Sequence, residues 1–398
     1  MRLAHWAVNA PLRPLLLAVF TASFVLPAQA ADLLTITRDA LDNNAALASA
    51  RSEYLGVEAG RDVARSGLLP QINATGNVAH NQQYESQTSS RVGTGAGGVN
   101  GDFSSASDDR YNTVSLSLEA TQALYDEVTR REVTQTERQI DQQVYLLAAT
   151  EQQLLIDTAS AYFDILRAHE ILEARLAQER AIGRQLEQAG EQFEVGLIAI
   201  TEVEEARATF DQSRADRIAA ESNLQVAFEA LEQLTGQRYA SIEALGDSMP
   251  VGLPEPSSRD YWVEQALELN PQVLAQQAGI EVARTGVEIA RAGGLPTLQA
   301  FGNYQYGDSD IDNTAGEYSS SQVGLSANLP IYTGGRTSAS IRQETYQLES
   351  SQYDFESQRR SSIQQVRSLY TQVSNDVETV EARQQAIVSN QSALEATR

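Results

Sequence analysis

The chain has 398 residues, no Cys, three His and 29 basic residues, every one of them Arg, for a formal net charge of −24. Without Lys or Cys it has no P-loop lysine, no Schiff-base amine, no thiol nucleophile and no cysteine zinc site. The acidic balance argues against nucleic acid as a partner.

At the N-terminus, Arg2 and Arg13 precede an apolar run from Leu15 to Leu26, and Ala28-Gln29-Ala30 gives an A-x-A cleavage site before Ala31. This is the three-part pattern of a secretory signal peptide over 1–30. The run of about twelve apolar residues is short of the roughly 20 that a spanning helix needs. No Cys follows the cut to carry a lipid anchor, and a chain free of thiols suits an oxidising compartment. Cleavage leaves 27 Arg against 53 acidic residues. Such a surface suits a saline habitat, where screening relieves self-repulsion, or it simply keeps long helices soluble. No later segment reads as a transmembrane helix, so strands would have to enter any membrane.

Residues 41–80 align without a gap on 267–306, with 11 identities in 40, among them Asn44/Asn270, Gly60/Gly286, Gly67/Gly293 and Pro70/Pro296. A match this long marks a duplicated structural unit. It divides the exported chain into a first repeat, 31–257, and a second, 258–398. Each opens with a helix, over 33–68 and 258–294, interrupted near Asn43-Asn44 and at Asn270-Pro271. Each helix then meets a Gly near its end and a Pro one to three residues later, a stop signal.

Strands follow. Ile72, Ala74, Gly76 and Val78 alternate with Asn73, Thr75 and Asn77; Val114, Leu116, Leu118 and Ala120 alternate with Ser115, Ser117 and Glu119. In the second repeat Leu298, Ala300, Gly302, Tyr304 and Tyr306 share one face, as do Val323, Leu325, Ala327 and Leu329. Polar loops are expected over 85–110 and 307–320. Period-two strands with long polar loops are the pattern of outer-membrane barrels, which a half-buried soluble sheet shares.

From Glu127 to Gly190 no Pro occurs, and Val133, Ile140, Leu147, Leu154 and Ala161 recur every seventh residue. From Gly335 onward Val366, Val373, Val380, Ile387 and Leu394 keep the same spacing. Sustained heptads mean helices packed lengthwise, and some 64 residues make a rod roughly 95 Å long. Between Phe193 and Ala206 the first rod reverses. Gly190 and Gly196 are expected to bracket the turn, and Thr201 to cap the returning helix, with Glu202, Glu204 and Glu205 near its positive end. The return runs to Thr235-Gly236.

No catalytic, cofactor or metal site assembles. Gly93 to Gly98 spells G-x-G-x-x-G but sits in Ser/Asn/Gly loop sequence, without the strand and helix that dinucleotide binding requires. His80 and His169 are isolated. Glu204-Glu205 and Asp108-Asp109 read as solvated faces, and Asn73-Ala74-Thr75, a formal glycosylation acceptor, as a strand edge.

The stretches FEVGLIAITEVEEARATFDQSRADRIAAESNL (193–224), LEQLTGQRY (231–239), GLPTL (294–298) and VGLSANLPIYTGGR (323–336) resemble the TolC family of outer-membrane channel proteins, and the likeness covers the exported chain. The resemblance implies a mixed α/β membrane protein, mostly α. Each chain would give four strands to a shared twelve-stranded barrel of a homotrimer, with coiled-coil-like helices forming a periplasmic tunnel. It implies docking of a membrane-fusion adaptor, and gating, at Phe193, Val195, Gly196, Leu197, Thr201, Glu202 and Val203. Glu202 stands where the family more often has Asp. Strand-helix junctions fall at Pro70, Tyr125, Pro296, Pro330, Tyr332, Gly334 and Gly335; the first-half junction, Tyr125-Asp126-Glu127-Val128, has lost the paired Gly. The distance from Tyr125 to Phe193, counted on from Tyr332, runs past Arg398. A second tip and the family's constricting aspartates are therefore expected beyond this sequence, which reads as truncated at its C-terminus.

The function implied is a passive exit duct in the outer membrane of a Gram-negative cell. It would carry small amphiphiles or secreted polypeptides from an inner-membrane pump of the RND, ABC or MFS type, without a cofactor. The competing reading, an exported structural or adhesive coiled-coil surface protein, shares the heptads and signal but has no need of duplicated strand pairs.

Overall fold

A computed structural model describes residues 30–89, 103–246, 251–309 and 316–396, and side chains within these outside 83–89 and 103–109. In chain order come α1 (Leu33–Asn43), α2 (Ala45–Ser66), β1 (Gln71–Ser89), β2 (Phe103–Tyr125), α3 (Glu127–Glu194) and α4 (Ile200–Thr235). The second half adds α5 (Arg259–Leu269), α6 (Pro271–Ala292), β3 (Thr297–Ser309), β4 (Gly316–Asn328) and α7 (Arg336–Ala396). None of the described helices is long and apolar enough to cross a membrane.

The chain folds as two compact units. One contains the sheet, α2, α5 to α7 and the first half of α3. Its two breaks use one device. The Asn44 side chain accepts the Leu47 N–H at 3.0 Å to cap α2, and the Asn270 side chain accepts the Gln272 N–H at 2.9 Å to cap α6, with Pro271 as first helical residue. The Asn44 amide also donates to the Leu234 carbonyl at 2.9 Å, satisfying an acceptor of the last turn of α4. Ala40, Leu47 and Leu154 form a buried cluster there, with Leu41, Leu147 and Leu234 packed on it.

Small residues let the helices approach. A Cβ on Gly67 would lie 2.9 Å from Thr129 of α3, and one on Gly60 3.9 Å from Thr136, so α2 lies against α3 at heptad spacing. The second repeat does the same. Cβ atoms on Gly279 and Gly286 would lie 3.0 Å from Gln142 of α3 and from Glu344 of α7. α2 and α6 stop at Gly67 and Gly293 as expected, and both glycines keep helical φ of −61° and −60°. The chain leaves each helix through tight turns, Leu68 to Arg65 and Leu69 to Ser66, before Pro70. Gly67 is there for the approach to Thr129.

The second unit contains the rest of α3, α4 to Glu232, and the segments 31–36 and 237–244. Among the covered positions along α4, Val203, Ala206, Phe210, Ser213, Arg217, Ala220, Leu224, Ala227 and Leu231 follow a three-four alternation. Facing them on α3 are Ile165, Ala168, Leu172, Arg175, Glu179, Ile182, Leu186 and Ala189. This is an antiparallel two-helix coiled coil, and it keeps the seven-residue register that begins at Val133.

Candidate functional site

The sheet has the order β1-β2-β3-β4, antiparallel throughout. Its register sets Ile72, Ala74, Gly76 and Val78 opposite Ala120, Leu118, Leu116 and Val114. Those pair onward with Gly302, Tyr304, Tyr306 and Asp308 of β3, and Gly302 with Val323 of β4. One face is therefore apolar on β1, β2 and β3 up to the level of Asp308, and on β4 along Val323, Leu325 and Ala327, above which Ser321 and Ser319 stand opposite Tyr304 and Tyr306. It is uncovered within the chain: Val78 is 81 % exposed and Val323 89 %. The opposite face carries Asn73, Thr75, Ser115, Ser117, Glu119, Asn303, Gln305 and Gln322. On it the Phe301 ring lies over Gly324 and the Tyr318 ring over Gly307, where a Cβ would come within 3 Å. An apolar face that large belongs in lipid, with the polar face turned to an aqueous interior.

Strand lengths correct the expected loops. Pairing continues from Glu85↔Ser107 to Ser89↔Phe103 and from Gly307↔Tyr318 to Ser309↔Gly316, so much of 85–110 and 307–320 is ladder. A barrel strand crosses a bilayer in about 9–11 residues, and β1 and β2 have 19 and 23. Beyond the bilayer both faces are polar, and alternation stops reporting a strand that backbone hydrogen bonds sustain. The His80 ring meets Asn112 across this ladder at 2.8 Å, as a strand-surface residue. The G-x-G-x-x-G segment lies outside the described residues.

At the base of the sheet the two halves start their long helices differently. Asp126 accepts the Thr129 N–H at 3.2 Å and hydroxyl at 3.0 Å, capping α3 after Tyr125 ends β2. Before α7 the chain passes Pro330 and Tyr332 and turns through Gly334 and Gly335, at φ +63° and +86°, where a side chain would be strained. Thr333 bonds Thr337 at 3.0 Å. Pro70 and Pro296 stand just ahead of β1 and β3. Ile331 and Tyr332 are 92 % and 88 % exposed, as suits apolar and aromatic side chains at a membrane boundary. Arg131 of α3 binds Glu288 of α6 at 2.6 Å and Glu127 at 2.8 Å, joining the repeats.

The α3–α4 reversal is a Schellman turn. Leu197 N–H donates to the Gln192 carbonyl and Gly196 N–H to the Phe193 carbonyl, both at 2.9 Å, with Gly196 at φ +82°. Two expectations need correction. Gly190 is helical, since one Gly costs a helix only about 1 kcal/mol. Thr201 is the second residue of α4, not its cap, because Glu202 N–H already bonds the Ala199 carbonyl at 3.1 Å. The expected tip residues divide: Phe193, Val195, Leu197, Thr201 and Glu202 are exposed, whereas Val203 is buried in the coil.

Sequence reasoning missed a polar layer in this coil. Arg217 binds Glu179 at 2.7 Å and Glu221 at 2.9 Å, and Arg175 reaches Asp216 at 3.5 Å. The signal was available: Arg175 and Glu179 fall in the apolar register of α3. Two turns away the Phe210 ring sits against Gly183, 3.4 Å from where a Cβ would stand.

A lipid-facing sheet joined in sequence to a helix of roughly 100 Å is channel architecture, and known proteins agree. The family model described as outer membrane efflux protein matches residues 36–237 and 262–398. The chain belongs to the outer membrane efflux protein family. It is 35 % identical to the outer membrane protein TolC of Vibrio cholerae serotype O1 over 356 residues, 87 % of this chain and 76 % of that one. It is 28 % identical to the alkaline protease secretion protein AprF of Pseudomonas aeruginosa over 362 residues, 90 % of this chain and 73 % of the other. A crystal structure of CusC shares the fold, with TM-score 0.70 at 17 % identity over 92 % of this chain and 81 % of that one. Members of this outer membrane efflux family are channel proteins rather than enzymes. TolC-like channels are trimers that work with adaptors and inner-membrane pumps. This member is an outer-membrane exit duct for efflux and secretion, its strands in the outer membrane and its helices in the periplasm.

Proposed function

We propose that three copies of this chain close one barrel of twelve strands, and that the α3–α4 turn is where a periplasmic adaptor docks. The observation that carries the first part is the open sheet. β1 and β4 are its two edges, and β1 pairs only with β2, and β4 only with β3, among the described residues. An unpaired ladder edge is not tolerated in lipid, and four strands cannot close on themselves. Joining β1 of one copy to β4 of the next removes every edge and gives an even number inside the known range. The two repeats, 31–257 and 258–398, then alternate around the axis.

For the tip, the support is an apolar patch at a helix reversal. Phe193, Val195, Leu197 and Ile200 are 41 %, 71 %, 74 % and 49 % exposed around Gly196. Such a patch fits an adaptor helix hairpin, with Thr201 and Glu202 placed to bond neighbouring helices in gating. The energy comes from the pump, of RND, ABC or MFS type, and the duct performs no bond chemistry. Its cargo is small amphiphiles or secreted polypeptides, and an acidic interior that includes Glu119 disfavours anions.

The test is complementation by the full-length gene in a cell lacking its own channel. Restored detergent resistance or polypeptide export is the expected result; failure of both overturns the duct reading for this protein. Val195→Asp with Leu197→Asp should abolish complementation while leaving the protein in the outer membrane. Undiminished resistance in that variant would rule the tip out as the docking site.

A further inference from the structure

The two repeats place the same helix in different surroundings. A Cβ on Gly60 of α2 would meet Thr136 of α3, and one on Gly286 of α6 would meet Glu344 of α7, so α2 stands to α3 as α6 stands to α7. Counted from those pairs, the row Ala275, Ala278, Val282, Thr285, Ile289 and Ala292 of α6 corresponds to Ser49, Ser52, Gly56, Ala59, Val63 and Ser66 of α2. Every member of the α6 row is covered, Ala275 at 1 % exposure, and every member of the α2 row is exposed, Val63 at 72 %. The cover on α6 comes from α3. The Gln135 amide donates to the Val282 carbonyl at 3.4 Å, a Cβ on Gly279 would meet Gln142 at 3.0 Å, and Tyr145 and Ala278 line one groove. Gln135, Gln142 and Tyr145 belong to a single row of α3, with Arg138 and Ala149. Its counterparts on α7 are Gln343, Tyr346, Ser350, Tyr353 and Ser357, all exposed, both tyrosines at 68 %.

We infer that α7 of one copy seats its row over 343–357 on the face of α2 over 49–66 in the next copy, as α3 seats on α6 within the chain. The inference rests on the trimer proposed above and assigns its helical seam. Each bare face lacks the partner that the other supplies. The seam also continues the sheet, because α2 leads into β1 and β4 leads into α7, and β1 and β4 are the edge strands that joined copies would pair. Side-chain size fits: the small residues of α2 leave room for two tyrosines, and the three-four spacing of both rows is that of helices packed lengthwise. Gln343 keeps the residue type of Gln135, so its amide would donate to the Gly56 carbonyl of the next copy. Arg131 and Glu288, which form an ion pair within the chain, have Ala339 and Asp62 as counterparts. The seam between copies therefore lacks that pair and relies on packing.

The sequence has no Cys, so introduced thiols react without background from it. Glu53 and Ser350 are the counterparts of Gly279 and Gln142, and both are exposed within one chain. A full-length chain with Glu53→Cys and an affinity tag is produced together with an untagged chain carrying Ser350→Cys, and outer membranes are treated with a short bis-maleimide. Held face to face, the two thiols should link the chains, giving roughly tenfold more tagged covalent dimer than either variant beside an unsubstituted chain. At Gly56 a Cβ meets nothing within 4 Å, so Gly56→Trp should leave helix content unchanged and cut the dimer severalfold by overfilling the seam. Native mass, measured on detergent extracts of the same membranes, separates the seam from the trimer itself. Three protomers without the mixed dimer, as when a later segment of the same chain covers α2, would overturn the seam alone. So would a dimer yield that Gly56→Trp leaves unchanged. Single chains would overturn both readings.

Discussion

Single residues set the corners of this protein, and Asn44 shows how. It caps α2 and satisfies the Leu234 carbonyl at the end of α4. Asn44→Ala should therefore cost about 2 kcal/mol, the sum of a lost cap and a buried acceptor left unpaired, read as a lower denaturant midpoint. Gly335, at φ +86°, is a corner of another kind. Gly335→Val should destabilise the strand-to-helix junction by about 1–2 kcal/mol. Glu356 gives a pH signature. Arg360, at 2.8 Å, and Arg359 hold its carboxyl below the ordinary range against a smaller opposing effect of burial. A depressed folded pKa contributes stability above the unfolded value, and that contribution disappears as pH falls through the folded one. Glu356→Gln should flatten the acid limb of the stability profile slightly and leave neutral pH almost unchanged. At this scale the sequence was legible wherever chemistry is local: Asn-Pro and Asn-Asn marked the breaks. It was not legible at Thr201, because one carbonyl hydrogen bond decides where a helix starts, and side-chain type does not.

Elements were easiest to read where one period ran long. The heptads from Val133 to Ala189 and the alternation in all four strands are visible because burial repeats at the pitch of the backbone. What escaped was polar ladder outside the bilayer and the charged layer inside the coil, where side-chain polarity and structural role part company. That layer carries a test. Glu179 and Arg217 occupy facing core positions and are 18 % and 22 % exposed. Either single Ala substitution should cost about 1–3 kcal/mol, and the pair clearly less than the sum. Additive losses would show that the ion pair does not fix the register. In the sheet, Leu116 and Ser117 are neighbours on opposite faces. Leu116→Arg should destabilise the inserted barrel by about 2–4 kcal/mol, while Ser117→Arg should leave stability nearly intact and lower cation conductance.

For the whole molecule the physics is one of incompleteness. A single chain carries a lipid-facing sheet with two open edges, β1 and β4. Those edges are met by identical copies around an axis, and acidic residues along such an axis would make conductance sensitive to ionic strength and favour cations. The measurement that bears on this most directly is the native mass of the complete, detergent-extracted protein. A mass of three protomers is predicted. Folded single chains, stable and able to conduct, would contradict it.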